Sequence, residues 1–156
     1  MRTLAIHRDN RWPEGFSGAV CYAHQQAMAI LVPSNDFSYI GADIKTRLSL
    51  SIAVRVAALM MARGELTLHS KLKMDFTIFA TMLMAIKNSV VQVIKNKFDW
   101  HAHFHLIEVT QLCVTTDRFC VEVEPAWIIG YGQAVEKFSG YVSYDDSCAI
   151  AILCSN

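Results

Sequence analysis

Between Asp75 and Lys97 the apolar side chains Phe79, Met82, Leu83, Ile86, Val90 and Ile94 recur at spacings of three and four. That period fixes one long helix with a single buried face, because only residues three and four apart stack on the same side of a helix. Asp75 is a suitable N-cap, its carboxylate accepting from the first free backbone N–H groups. Lys87, Asn88, Lys95 and Lys97 fall mostly on the opposite side. A helix of this kind needs an apolar surface to lie on, and the flanking sequence supplies strands. Residues 3–7, 17–22, 27–32 and 39–44 alternate or run apolar, with Gly15, Gly18 and Pro33-Ser34-Asn35-Asp36 as punctuation. A first helix is expected over residues 46–63, rich in Ala, Leu and Met, with Gly64 as its C-terminal cap. Strands return at residues 101–109, 113–123, 140–144 and 148–154. The expected architecture is α+β, antiparallel strands packed on two main helices in a single domain over residues 1–156.

Composition agrees with a folded core. Of 156 residues 53% are hydrophobic and 18% charged, which excludes a disordered or collagen-like chain. The formal net charge of zero argues against a uniformly basic nucleic-acid binder, yet the charges are segregated. Residues 1–97 carry 12 Lys/Arg and 6 Asp/Glu, whereas residues 98–156 carry 2 and 8. The first half can therefore present a basic surface to an acidic partner. The 5 cysteines, Cys21, Cys113, Cys120, Cys148 and Cys154, form no C-x-x-C pair and read as small apolar residues of a reduced, cytoplasmic chain. The first ten residues lack a signal-peptide core. No apolar run reaches about 18 residues without a charge, so no membrane span is expected.

Four segments, in order, carry a resemblance. They are Arg8 through Tyr22, containing Trp12-Pro13-Glu14-Gly15; Ile40-Gly41-Ala42-Asp43-Ile44-Lys45; Phe79 through Lys87; and Phe98-Asp99-Trp100-His101. This order resembles the 4′-phosphopantetheinyl transferases of the enterobactin-synthase type, in a shortened form. Those enzymes move phosphopantetheine from coenzyme A to a serine of an acyl or peptidyl carrier protein. The resemblance implies a transferase-like fold, with Asp43 at the first of three family positions that hold Mg²⁺. It implies Lys45 and Leu83 where the other two acids belong, Met82 where a family lysine stands, and Tyr22 in place of a coenzyme A-contacting histidine. Arg8, Tyr22 and Lys87 fall at positions that contact coenzyme A or the catalytic surroundings.

Hard Mg²⁺ needs oxygen ligands, and one carboxylate beside an ammonium holds it poorly. The resemblance thus implies a pseudoenzyme: Asp43 as a vestigial metal ligand, no required cofactor, and coenzyme A as the small molecule to test. The implied partner is a carrier protein or another enzyme of polyketide, fatty-acid or nonribosomal-peptide synthesis, met through the basic first half, with a homo- or heterodimer as a further expectation. Asp43 and Lys45 lie two apart on a strand and so share a face, which would let the Lys45 ammonium stand in for the ion. The rival readings are an active transferase and a small subunit of a larger complex. The mark of the last is that Gly15, Asp43 and Lys87 do not converge on one cleft.

Two other patterns carry side chains with chemistry of their own. His101, His103 and His105 alternate and on a strand would share a face, with Asp99 or Glu108 as further donors for a transition metal; an exposed polar face is the simpler reading. Cys21 has no identifiable relay to make it a nucleophile.

Overall fold

In the computed structural model the described residues are 12–23, 26–123 and 135–156. The long helix is α3, Phe76–Phe98. Asp75 caps it as its sequence position suggests, its side chain accepting from the N–H groups of Thr77 at 2.8 Å and Ile78 at 3.2 Å. Those bonds, with the Thr77 hydroxyl first, hold the Asp75 carboxyl below its ordinary range. Phe79, Leu83, Ile86, Val90 and Ile94 are all fully buried, as the three-four period requires.

The described residues also form seven strands. β1 (Phe16–Ala23) and β2 (Gln26–Pro33) form an antiparallel hairpin. β3 (Tyr39–Thr46), β4 (Ile107–Cys113), β5 (Arg118–Val123), β6 (Glu136–Tyr144) and β7 (Cys148–Ser155) form one antiparallel sheet in the order β3-β7-β6-β5-β4. The four C-terminal strands thus meander away from β4 until β7 closes against β3. Alternation sorts the side chains. Ala149, Ala151 and Leu153 of β7, with Val121 and Val142, join the helix core, whereas Ile40, Ala42, Ile44, Ile150 and Cys154 form a second core under the hairpin. The sheet is therefore covered on one face by α3 and, over its β3–β7 half, on the other by β1 and β2.

The approach of α3 to β3 is very close. A Cβ added to Gly41 would lie 1.8 Å from the backbone oxygen of Ser89. Glycine is the only residue that allows this contact.

Among the described residues the fold class is α+β with three helices, and it departs from the sequence reading in several places, one being the expected strand 113–123, where Cys113 ends β4, residues 114–117 turn and β5 starts at Arg118. The first expected helix is two. Residues 39–46 stay extended, α1 spans Leu50–Met60, and the chain breaks at Met61 and Ala62, both extended, before α2 (Arg63–Leu72). Gly64 is not a C-cap but sits in the first turn of α2, where Glu108 packs over it. The expected strand 101–109 begins instead with a short 3₁₀ turn, Phe104–Leu106, and β4 starts only at Ile107. The expected strand at residues 3–7 lies outside the described residues. By length and composition α3 is apolar enough to cross a membrane, but 67% of its most apolar window is buried in the domain, as in a core helix.

The β6–β7 turn is organised by Asp145, whose Oδ1 accepts from Ser147 N at 2.6 Å, Ser147 Oγ at 2.7 Å and Cys148 N at 2.8 Å. The Ser147 hydroxyl, then the two N–H groups, hold the carboxyl down at about 2 against an ordinary 3.8. A depressed carboxyl stabilises the fold above its ordinary range and ceases to do so as the pH falls through the depressed value. The carboxyl-carbon shift of Asp145 is accordingly expected to titrate near pH 2, and a midpoint near 3.8 would refute the turn geometry.

Candidate functional site

Asp43 and Lys45 sit on the last turnable stretch of β3 and form the pair their spacing suggests, Lys45 Nζ lying 2.9 Å from Asp43 Oδ2 and 3.2 Å from Oδ1. Asn88 of α3 donates to the same Oδ2 at 2.8 Å. Both carboxylate oxygens are thus engaged. Cys21 of β1 lies beside them, buried on the inner face of the hairpin. Burial and then the Asp43 charge push its thiol above the ordinary range, against the pull of Lys45 and a backbone bond from Ile44. A raised thiol is a poor nucleophile, since the thiolate is the reactive form.

The other positions singled out on α3 go elsewhere. Met82 and Leu83 are buried in the helix core. Lys87 does not lie on an exposed face; it is completely buried and spans three elements. Its Nζ meets Glu65 Oε2 at 2.9 Å and donates to the carbonyls of Met60 at 2.5 Å and Phe104 at 3.1 Å. Glu65 in turn accepts from Ala62 N at 2.8 Å on Oε2 and from Val109 N at 2.8 Å on Oε1. All three ammonium protons and both carboxylate oxygens are satisfied. Consecutive helix residues diverge by about 100°, so Asn88 faces Asp43 while Lys87 faces α2. Asp43 and Lys87 therefore do not converge on one cleft. Ala62 has no acceptor side chain, so this is half of a capping box, with the Glu65 carboxylate serving the Ala62 N–H.

The Mg²⁺–coenzyme A centre implied by the resemblance does not fit this donor set. Asp43 is already held by an ammonium and an amide, and among the described residues no group of three His, Cys, Asp or Glu could hold a metal. The histidines do not provide one. His103 caps the 3₁₀ turn and His105 lies within it, their rings stacked at 5.6 Å. Arg8 lies outside the described residues.

Two surfaces remain open. One is a groove of about 570 Å³ between β1 and the C-terminal half of α3, lined by Trp12, Phe16, Tyr22, Tyr39, Gln92 and Lys95 among others. Tyr22 and Trp12 from the first resembling segment are here; Asp43 and Lys87 are not among the lining residues. Its floor is closed by Gln92, whose amide accepts from Ala42 N at 3.1 Å and donates to Ala42 O at 2.8 Å, as a neighbouring strand would. The second surface is the α1–α2 pair. Leu50, Ile52, Val54, Leu59 and Leu66 are exposed there, with Leu59 at 80%. Arg55, Arg63, Lys71 and Lys73 are exposed among them and form no ion pair among the described residues.

Sequence reasoning missed Glu65 and Asn88. Glu65 left a trace, as the lone acid between residues 46 and 73 among five Lys/Arg. Asn88 left none. No family model and no curated protein matches this chain.

Proposed function

We propose that this protein is a non-catalytic docking subunit whose α1–α2 surface receives an acidic partner. The observation that carries the reading is that this surface combines exposed apolar side chains with four cations that have no ion-pair partner among the described residues, while its one carboxylate, Glu65, is buried against Lys87. Apolar anchors supply affinity and the cations supply selection and encounter rate. The resemblance to phosphopantetheinyl transferases suggests the class of partner: an acyl or peptidyl carrier protein with acidic helices, or an enzyme that serves one. The reading requires neither Mg²⁺ nor coenzyme A. In its support, Met82, Leu83 and Lys87 are committed to the core and Asp43 to Lys45, which leaves no open acid–base pair at the resembling positions.

The test uses an apo-acyl carrier protein. Binding is expected, falling steeply as salt rises, and Arg55→Glu with Arg63→Glu should weaken it by at least about tenfold, each tenfold being about 1.4 kcal/mol. A salt-independent complex would assign the contact to the leucines instead. Incubation of the same carrier with coenzyme A and Mg²⁺ is expected to leave its mass unchanged; a phosphopantetheine adduct would overturn the non-catalytic reading. Coenzyme A binding that persists in EDTA but is lost in Lys45→Ala would revive the ammonium as a stand-in for the ion.

The scattering of Asp43 and Lys87 favours one alternative, a small subunit of a larger complex outside carrier-protein chemistry. It predicts the same docking face with a different acidic partner, and is chosen if the carrier protein fails to bind.

A further inference from the structure

We infer that the groove between β1 and α3 is a peptide site, taking an extended segment that adds as a strand to the free edge of β1 and places a carboxylate on Lys95. The inference is independent of the docking role of α1 and α2. Its first support is the composition of the wall. Phe16, Ser17, Gly18, Ala19, Val20 and Tyr22 all line the groove. Successive side chains on a strand point to opposite faces, so a groove along one face would collect alternate residues only. Both sets appear here, which means that the groove runs along the backbone edge. Among the described residues β1 pairs only with β2, on its other edge. Every second residue of a strand turns its N–H and C=O away from its partner strand; the Phe16 N–H is taken by the Pro13 carbonyl at 3.0 Å, so this edge offers its row of donors from Gly18 to Tyr22, over roughly 13 Å.

The second support is that the competing edge is blocked at one point. β3 borders the same groove, but Gln92 occupies both backbone groups of Ala42. A strand entering along β3 would have to displace Gln92, whereas one entering along β1 would not. The third is chemical. Among the described residues Lys95 is the one charged residue lining the groove, is exposed, and has no ion-pair partner. Asn96 beside it adds an amide, and Trp12, Phe16, Tyr22 and Tyr39 offer apolar surface to alternate side chains of the guest. A regular backbone ladder with side-chain contacts at every second position is the recognition mode of strand addition. The volume lies in the range of built ligand sites.

The experiment titrates the full chain, followed by amide NMR, with a blocked hexapeptide of alternating valine and threonine carrying one central glutamate. Saturable shifts at Gly18 and Val20 are expected, with amide exchange of these two residues slowed on binding. A peptide methylated at alternate backbone nitrogens should bind at least about tenfold more weakly. Lys95→Glu, an exposed change that leaves the fold intact, should weaken the glutamate peptide by about tenfold and favour a lysine-bearing one. Equal binding of the methylated peptide, shifts confined to β2 or β4, no saturation, or indifference to the Lys95 change would each overturn the proposal.

Discussion

Gly41→Ala is expected to cost about 3 kcal/mol of stability, among the largest effects of any single methyl in this chain. The added carbon would meet the Ser89 carbonyl oxygen at 1.8 Å and its carbon at 2.7 Å, both backbone atoms of a buried helix. Neither can swing aside, so α3 must move off β3 or the strand must bend. Urea unfolding should show a lower midpoint with an unchanged slope. Gly64→Ala makes the contrast. There a new Cβ would meet Glu108 Oε1 at 1.9 Å, but that is the far end of a partly exposed side chain that can rotate away. The helix propensity gained, up to about 1 kcal/mol, should then leave Gly64→Ala neutral or stabilising. If both substitutions cost alike, the packing of α3 on β3 described here is incorrect.

The second large effect concerns the buried pair. Lys87→Met is expected to cost roughly 3–5 kcal/mol, because it strands the Glu65 carboxylate without a countercharge. Glu65→Leu should cost a similar amount by stranding the ammonium, and the double variant should regain most of the loss. The pH dependence separates this mechanism from simple loss of packing. Burial, opposed chiefly by Lys87, pushes the Glu65 carboxyl above its ordinary range. Burial likewise pulls the Lys87 ammonium down, opposed chiefly by Glu65. A carboxyl raised in the folded state contributes fully below its unfolded pKa, and that contribution is lost as the pH rises through the folded value. In Lys87→Met the counterweight is gone and Glu65 rises further. Its deficit relative to wild type should therefore be larger at pH 8 than at pH 4.5. A deficit that is flat with pH would mean that the lost contacts, rather than the stranded charge, set the cost.

The long helix was legible because its signal is local. The Asp75 cap and the spacing from Phe79 to Ile94 lie within one element, and no distant partner is needed to read them. The Asp43–Lys45 pair was legible for the same reason, two residues apart on one strand. What escaped was long-range. Lys87 carries a charge in a polar-looking slot, and nothing adjacent says that a carboxylate 22 positions earlier will meet it at 2.9 Å. The break at Met61 and Ala62 is misplaced by Gly64, which reads as a helix end but lies in the first turn of α2. The break follows from one tertiary bond, the Met60 carbonyl accepting from Lys87, and one local bond, the Ala62 N–H donating to Glu65. The histidine alternation misled because a period of two is shared by strands and by chance, and the chain turns at Phe104 before the ladder begins. The resembling segments are neighbours in space only in part: the hairpin meets β3 and β3 meets α3, but the side chains at the two ends of the motif diverge around the helix.

The five-stranded sheet is stoppered at both borders by side chains from helices. Gln92 plugs β3 at Ala42 and Glu65 plugs β4 at Val109. Open borders are where sheets recruit copies of themselves. Detachment of α2 would do two things at once, leaving Lys87 without its counterion and uncorking β4. The same carboxylate that neutralises the interior is thus a guard against fibre growth, and warming this protein to the point where α2 lifts should bring on self-association together with the loss of the core charge pair.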